Sequence, residues 1–514
     1  MSNKNSRTKN SALSLVTGVG GQLLNEALRF ITRTVFIYTL GKMFLGINGL
    51  FAEIMTMLSL TNLGIGTAII FRLYKPIAEN DEHRVRILLK FYKKAYQSIG
   101  VFIFLLGLCL LPFLKVFIKD YDRFDLLGLN AEFIYLLYLG HSVTSYFFFA
   151  YRNCVFAADQ KQYLVNGVNM ISSIVTAVVQ IIVLYLWQNF ILYLLVGIFD
   201  NILNNVVIAS LTYKQYPNYF KKEKDSLPKD EVKSMFKDCG ALLLYKINGV
   251  VQKSTGNLIL SAFIGLATVG IYSNYLVIYS ALRQLSNQLF NAIKGSTGNL
   301  FATATLEGKY KFFEIMNFLT ALVFGTMGVV ISININELIY CWLGEDYIIP
   351  QPFPVLLGIE ILVLGLSLNL NQIRNVSGLY RQMWTRPILS ILINLVSTLI
   401  LVKQIEILAI PLGYIIAFTT TNFIADPAVI HKYVFNNEKS VWSYYARISR
   451  YLVVICLAGV FTYYLMIHID YHNTWGALFL HVFMTCTIVA GLLILVNYKS
   501  ESCRYLLSKI RLIK

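Results

Sequence analysis

Glu26, Arg29 and Arg33 lie three and four residues apart in the stretch Asn25-Glu-Ala-Leu-Arg-Phe-Ile-Thr-Arg-Thr-Val-Phe36, a spacing that places them on one face of a helix. The residues on either side are apolar enough to span a membrane. A charge at the bilayer centre costs roughly 2.5–3.5 kcal/mol even on lenient insertion scales, so two buried arginines imply a compensating role. Arginine presents a planar fork of donors matched to phosphate oxygens and stays charged when buried. The chemistry indicated is therefore capture of a phosphate-bearing anion. The second half of the chain repeats the theme with Lys246 and Lys253, seven residues apart, and with Arg283. Several bases for two or three negative charges suit a diphosphate better than a carboxylate.

Four acidic residues share the apolar segments and are candidates for charge pairing or for carrying a coupling ion: Glu26, Glu53, Asp200 and Glu360. Glu26 is spaced to pair with Arg29. Depth counting from the turn near Lys42 and Met43 puts Arg33 and Glu53 level, roughly 15 Å down. Glu360 and Asp200 are the nearest acids for Lys246, Lys253 and Arg283. Plainer readings stand beside these. Glu53 serves equally as a structural partner, and Lys246 and Arg283 as snorkelling anchors. Arg374 and Asp426 read as residues of span ends. Gln22, Asn25, Asn201, Asn248, Asn257 and Asn274 offer hydrogen bonds to hydroxyls, or glue between helices. Tyr245, Tyr272 and Tyr275 offer ring faces to sugars.

The elements that must hold these residues are membrane helices. Of 514 residues 56% are hydrophobic and 14% charged, with a mean hydropathy of +0.60. Soluble domains carry about 25% charged residues, so the fold expected is all-α and polytopic. Apolar runs of bilayer length lie near 12–40, 45–73, 93–118, 131–157, 163–187, 191–212, 239–263, 267–294, 311–336, 351–375, 385–402, 408–430, 450–468 and 474–497. The net charge of +17 reflects basic inner loops and not nucleic-acid binding. Loops near 188–190, 264–266, 337–350 and 469–473 contain no Lys or Arg and are read as outer, which puts both termini in the cytoplasm.

The organisation expected is an N-terminal lobe over 1–213 and a linker over 214–238. A C-terminal lobe over 239–430 follows, then two further spans with a basic tail over 431–514. Pro228 with Asp230 and Glu231 marks a helix start in the linker. Leu45-Gly46 followed by Gly49-Leu-Phe51 is echoed by Leu266 followed by Gly270-Ile-Tyr272. The offset of about six spans implies two lobes of like direction.

Leu45-Gly-Ile-Asn-Gly-Leu-Phe51, Asn62-Leu-Gly-Ile-Gly-Thr-Ala68, Thr17-Gly-Val-Gly-Gly-Gln22 and Gly270-Ile-Tyr272 resemble segments of Wzx-type polysaccharide-unit flippases. That family belongs to the multidrug, oligosaccharidyl-lipid and polysaccharide exporter superfamily. The resemblance implies about fourteen helices, in two six-helix lobes around a central cationic cavity plus two C-terminal helices. It implies transfer of undecaprenyl-diphosphate-linked oligosaccharide from the inner to the outer leaflet of the bacterial cytoplasmic membrane. Membrane lipids, a glycan polymerase and other assembly proteins are the partners it suggests. The diphosphate would be held by Arg29, Arg33, Arg283, Lys253 and Lys246.

A drug or cation exporter of the same superfamily would need acids to dominate the cavity. A glycan polymerase or ligase would need a long catalytic outer loop. His141, His468, His472 and His481 form no spaced cluster, and no metal-ligand, nucleophile or phosphate-loop motif is present. A transporter with neither cofactor nor metal is expected, and not an enzyme.

Overall fold

The helix carrying Glu26, Arg29 and Arg33 runs from Ser2 to Leu58 (α1) and breaks once, at Gly41, where φ is 83°. A side chain is strained in that backbone region and glycine is not, so the chain turns there. The computed structural model describes residues 2–59, 65–119, 121, 122, 124, 128–379, 381–467 and 474–512. The side chains of residues 2–12, 15, 65, 67, 68, 234–246, 253, 285, 287–292, 294–296, 299, 302, 381 and 509–512 are outside the description. Lys246, Lys253 and Tyr245 fall in that group, and the Asn62-Leu-Gly64 part of the span-2 motif also lies outside the described residues.

After α1 come α2 (Ile65–Ala78), α3 (Glu82–Leu110), α4 (Ala131–Phe147), α5 (Asn153–Ala158), α6 (Gln162–Trp187), α7 (Phe190–Gln215) and α8 (Lys229–Phe263). Then follow α9 (Leu266–Thr303), α10 (Leu306–Leu343), α11 (Phe353–Val376), α12 (Thr385–Ile405) and α13 (Ala409–Tyr433). The last are α14 (Val441–Ile467), α15 (Trp475–Asn497) and α16 (Glu501–Leu512). No strand occurs among the described residues. Side-chain caps set several starts: Asp81, Asn130, Asn189, Thr305 and Thr474 each accept from a backbone N–H one turn into the following helix.

Nine helical stretches among the described residues are long and apolar enough to cross a bilayer, or ten if the pair 131–147 and 150–158, bent by 45°, is one crossing. Two of the nine, of 43 and 49 residues, are about twice the ~20 residues one crossing needs. Gly41 breaks the first, and a 3-10 turn at Glu406–Leu408 breaks the second between α12 and α13. α8 and α9 occupy the seventh and eighth apolar runs and are not among the nine. They bury polar side chains, including Asn248, Ser254, Asn257 and Asn274. The chain is an all-α polytopic membrane protein. Exposed Ile, Leu, Val and Phe side chains on α6, α7, α12 and α14 present the apolar surface that lipid requires.

The chain divides into two compact units, Met1–Gly270 and Ile271–Lys514. In the first, the break in α1 meets the α8–α9 connection. A Cβ on Gly46 would stand 1.9 Å from the Leu266 carbonyl oxygen, and one on Gly270 2.1 Å from that of Lys42. The two echoing segments therefore pack against each other, and neither glycine has room for a side chain. The linker is fastened to α2 and α3. Glu231 takes Arg72 Nη1 at 2.9 Å and also binds Arg84, while Glu223 takes Arg86 Nε at 3.1 Å. Lys90 Nζ donates to the backbone carbonyls of Glu223, Lys224 and Asp225. The linker helix starts at Lys229 behind Pro228, with Asp230 and Glu231 in its first turn, where their charge suits the helix dipole.

In the second unit α10 packs along α11, and α14 and α15 pack on α10. Aromatic residues fill one end, with the Phe313 and Tyr444 rings stacked 5.6 Å apart and Tyr310 and Phe435 edge to face.

Candidate functional site

The basic face of α1 is built from helical spacing alone. Arg29 is twelve residues and Arg33 eight residues before the Gly41 break, hence about 18 Å and 12 Å below it. Arg29 Nη1 stands 3.4 Å from Glu26 Oε1, the pairing that three-residue spacing allows, yet its side chain remains 71% exposed. Lipid hydrocarbon cannot solvate a guanidinium, so an exposed arginine at this depth faces water or a polar ligand. Arg33 is half-buried and interacts with Tyr193 of α7. The ring of Tyr193 is braced edge to face by Phe36, 5.1 Å away.

Glu53, read from depth as a partner for Arg33, accepts a 2.6 Å hydrogen bond from Ser254 Oγ of α8. Asp200 on α7 accepts from Ser172 Oγ of α6 and lies near His141 of α4. Beside this group a cavity of about 550 Å³ opens in the first unit, lined by Thr56, Ser59, Tyr96, Tyr138, His141 and Asn201 among others. Asn201 is held by Ser145 Oγ and by the His141 carbonyl, at 3.0 and 3.2 Å. Hydroxyl, amide and phenol groups stand in this lining beside the apolar Ala52, Met55 and Val250.

In the second unit Arg283 and Glu360 lie within electrostatic reach of one another, with Tyr279 and Tyr414 close by. Arg283 thus has an acidic neighbour of its own. Two of the tyrosines read as sugar platforms, Tyr272 and Tyr275, are otherwise engaged. Tyr275 is fully buried, its ring at 90° to that of Phe353. Its hydroxyl donates to Asn336 Oδ1 at 2.7 Å and accepts from Ile349 N at 2.8 Å. Tyr272 is buried against the same phenylalanine. Neither ring offers a face to a ligand.

Two buried charge clusters went unread in the sequence. Asp426 of α13 accepts from Arg386 of α12 and lies 4.0 Å from Arg374 Nη1 of α11. Its side chain is 1% exposed, and those of the arginines 6% and 5%. Arg374 and Asp426 therefore belong to one interior network and are not merely span-end residues. The three lie at the same end of successive spans, and level depth was the available signal. The other cluster joins Glu337 of α10 to His481 of α15, 2.8 Å apart. Elsewhere His83, Glu223 and Asp225 bring ligand atoms within 4.8 Å of one another. Arg86 and Lys90 already bind that corner of the linker, which marks it as an ion-paired edge.

No protein-family model and no curated protein sequence matches the chain. Its structure does resemble solved ones. An inward-facing multidrug resistance MATE family transporter of the MOP superfamily superposes with a TM-score of 0.56 at 13% identity, covering 81% of this chain and 96% of that one. A MATE transporter from Vibrio cholerae superposes at 0.55 and 13% identity, covering 84% and 99%. The lipid II flippase MurJ, in an inward closed conformation, superposes at 0.63 and 10% identity, covering 94% and 99%. The fold of this chain is the one shared by these membrane transporters and this lipid flippase.

Proposed function

We propose that the chain is a flippase that carries undecaprenyl-diphosphate-linked oligosaccharide units from the inner to the outer leaflet of a bacterial cytoplasmic membrane, by alternating access, for capsule, exopolysaccharide or O-antigen assembly. The observation that carries this reading is Arg29, a guanidinium 71% exposed about 18 Å below the helix break, with Arg33 one turn further along. A cation held there at a cost to insertion is offset by a ligand with phosphate oxygens. Arg283, with Lys246 and Lys253 at positions of the same kind, extends the cationic set. The polar cavity beside His141 and Asn201 supplies hydrogen bonds for glycan hydroxyls.

The extent of the structural likeness supports a lipid-linked cargo. The two MATE transporters cover 81% and 84% of this chain, whereas the lipid II flippase covers 94%. Helices α14 to α16, the two spans and tail beyond the twelfth, supply extra length of that order. Both termini lie in the cytoplasm in this reading, as the distribution of basic loops requires.

The test is reconstitution. Liposomes containing the chain should move a fluorescent undecaprenyl-diphosphate oligosaccharide to the opposite leaflet and should not accumulate a cationic dye. Dye accumulation without lipid transfer would replace this reading with drug export.

A further inference from the structure

Near the end of α10 remote from the Arg374 network, the second unit holds a polar zipper that the phosphate site does not use. Asn334 and Glu337 are three residues apart and share a face of α10. His481 and Thr485 are four apart on α15. His481 Nδ1 donates to Glu337 Oε2 at 2.8 Å, and Asn334 Nδ2 donates to Thr485 Oγ1 at 3.4 Å. Thr485 in turn donates to the His481 carbonyl at 2.7 Å. These bonds leave two acceptors, Glu337 Oε1 and Asn334 Oδ1, buried and without a hydrogen-bond partner. Asn334 is 3% exposed and the Glu337 side chain 13%. Both residues line a cavity of about 510 Å³ with Asn336, Tyr340, Tyr463 and His481.

Buried acceptors without partners are costly, and a buried net charge is costlier. With a neutral imidazole the Glu337–His481 pair carries one net negative charge. The other ionisable groups near it are Tyr340 and Cys341 on α10 and Tyr463 on α14. Glu345 and Asp346, on the turn after α10, are exposed. His468, Asp470 and His472 lie outside the described residues. The cavity thus combines one negative charge, two idle oxygens and room for water.

We propose that Glu337, Asn334 and His481 form a binding site for a monovalent cation, sodium or a proton, between α10 and α15. Sodium takes Glu337 Oε1, Asn334 Oδ1 and water as its ligands, and a proton takes the carboxylate–imidazole pair. Either occupant removes the net charge, and sodium also satisfies the idle oxygens. Coupling of this occupancy to transport rests on the flippase reading, but the binding itself does not.

The test uses the full-length chain in lipid nanodiscs, read by the fluorescence of Trp342, which is buried five residues beyond Glu337 on the same helix. Sodium chloride is titrated against choline chloride at fixed neutral pH, and pH is then varied in choline chloride. A saturable response to sodium that Glu337→Gln abolishes, and that Asn334→Asp shifts to lower concentration, assigns sodium. A response to pH alone that Glu337→Gln abolishes assigns the proton. Glu337→Asp keeps the carboxylate, so its response should persist at weaker affinity, which separates loss of the site from loss of fold. Identical responses in the wild type and in a folded Glu337→Gln overturn the proposal. No lipid cargo is present in the experiment, so its failure leaves the flippase reading standing, and the reverse also holds.

Discussion

Replacing Asp426 by alanine removes the carboxylate that Arg386 and Arg374 both face. All three side chains are at most 6% exposed, so water cannot take its place. Breaking a buried ion pair by deleting one partner costs about 3–5 kcal/mol, because the remaining charge stays buried without its counter-ion. In a unit spanning Ile271–Lys514, each kcal/mol moves the melting midpoint by about 2–4 °C, so Asp426→Ala should lower it by roughly 6–20 °C. Asp426→Asn keeps the shape but not the charge and should fall between the two. The triple change of Arg374→Met, Asp426→Leu and Arg386→Met should destabilise less than Asp426→Ala alone, since well-packed apolar replacements of buried ion networks are often neutral. The assay is the temperature at which half the protein remains monodisperse in detergent. An Asp426→Ala midpoint equal to the wild type, or a triple variant worse than the single, would refute the reasoning.

Two further perturbations test the first unit. Gly46→Val places a Cβ 1.9 Å from the Leu266 carbonyl oxygen and must spread the α1 break from the α8–α9 connection, so a loss of about 1–3 kcal/mol is expected in the same thermal assay. Gly140→Ala meets no atom within 4 Å and serves as the control. At Glu231 burial raises the carboxyl's proton affinity, but Arg84 and then Arg72 outweigh it and hold the group below the usual carboxylate range. A depressed folded value means the clamp stabilises the fold above the unfolded value, about 4.3, and is lost as pH falls through the folded value. Pepsin cleavage within residues 214–228 should therefore rise steeply as pH drops below about 4, and Glu231→Gln should be cleaved readily at every pH tested.

What the sequence made legible was local, or followed from counting depth. Spacing alone paired Glu26 with Arg29. Counting residues from the turns placed the α1 break within two residues of Gly41, but it left Asp200 and Glu360 as equal candidates for Lys246, Lys253 and Arg283, and it is Glu360 that lies near Arg283. Proline and acidic residues marked the start of α8. Contacts between distant helices were another matter. Glu53 was directed at Arg33 because both belong to one hairpin, whereas Ser254 reaches it from a helix some two hundred residues away. Glu337 and His481 are separated by 144 positions, and nothing in either stretch indicates that α10 packs on α15. Tyr272 and Tyr275 failed as sugar platforms for a related reason. Ring type suggests stacking, but orientation is set by neighbours such as Phe353.

The central claim is that the guanidiniums of α1 receive phosphate. Native mass spectrometry of the full-length chain with undecaprenyl diphosphate measures this directly, for the wild type and for folded Arg29→Ala and Arg33→Ala. Each charge-assisted contact is worth about 1.5–3 kcal/mol, so each variant should bind roughly ten- to a hundredfold more weakly. Affinity equal to the wild type in both variants would contradict the account.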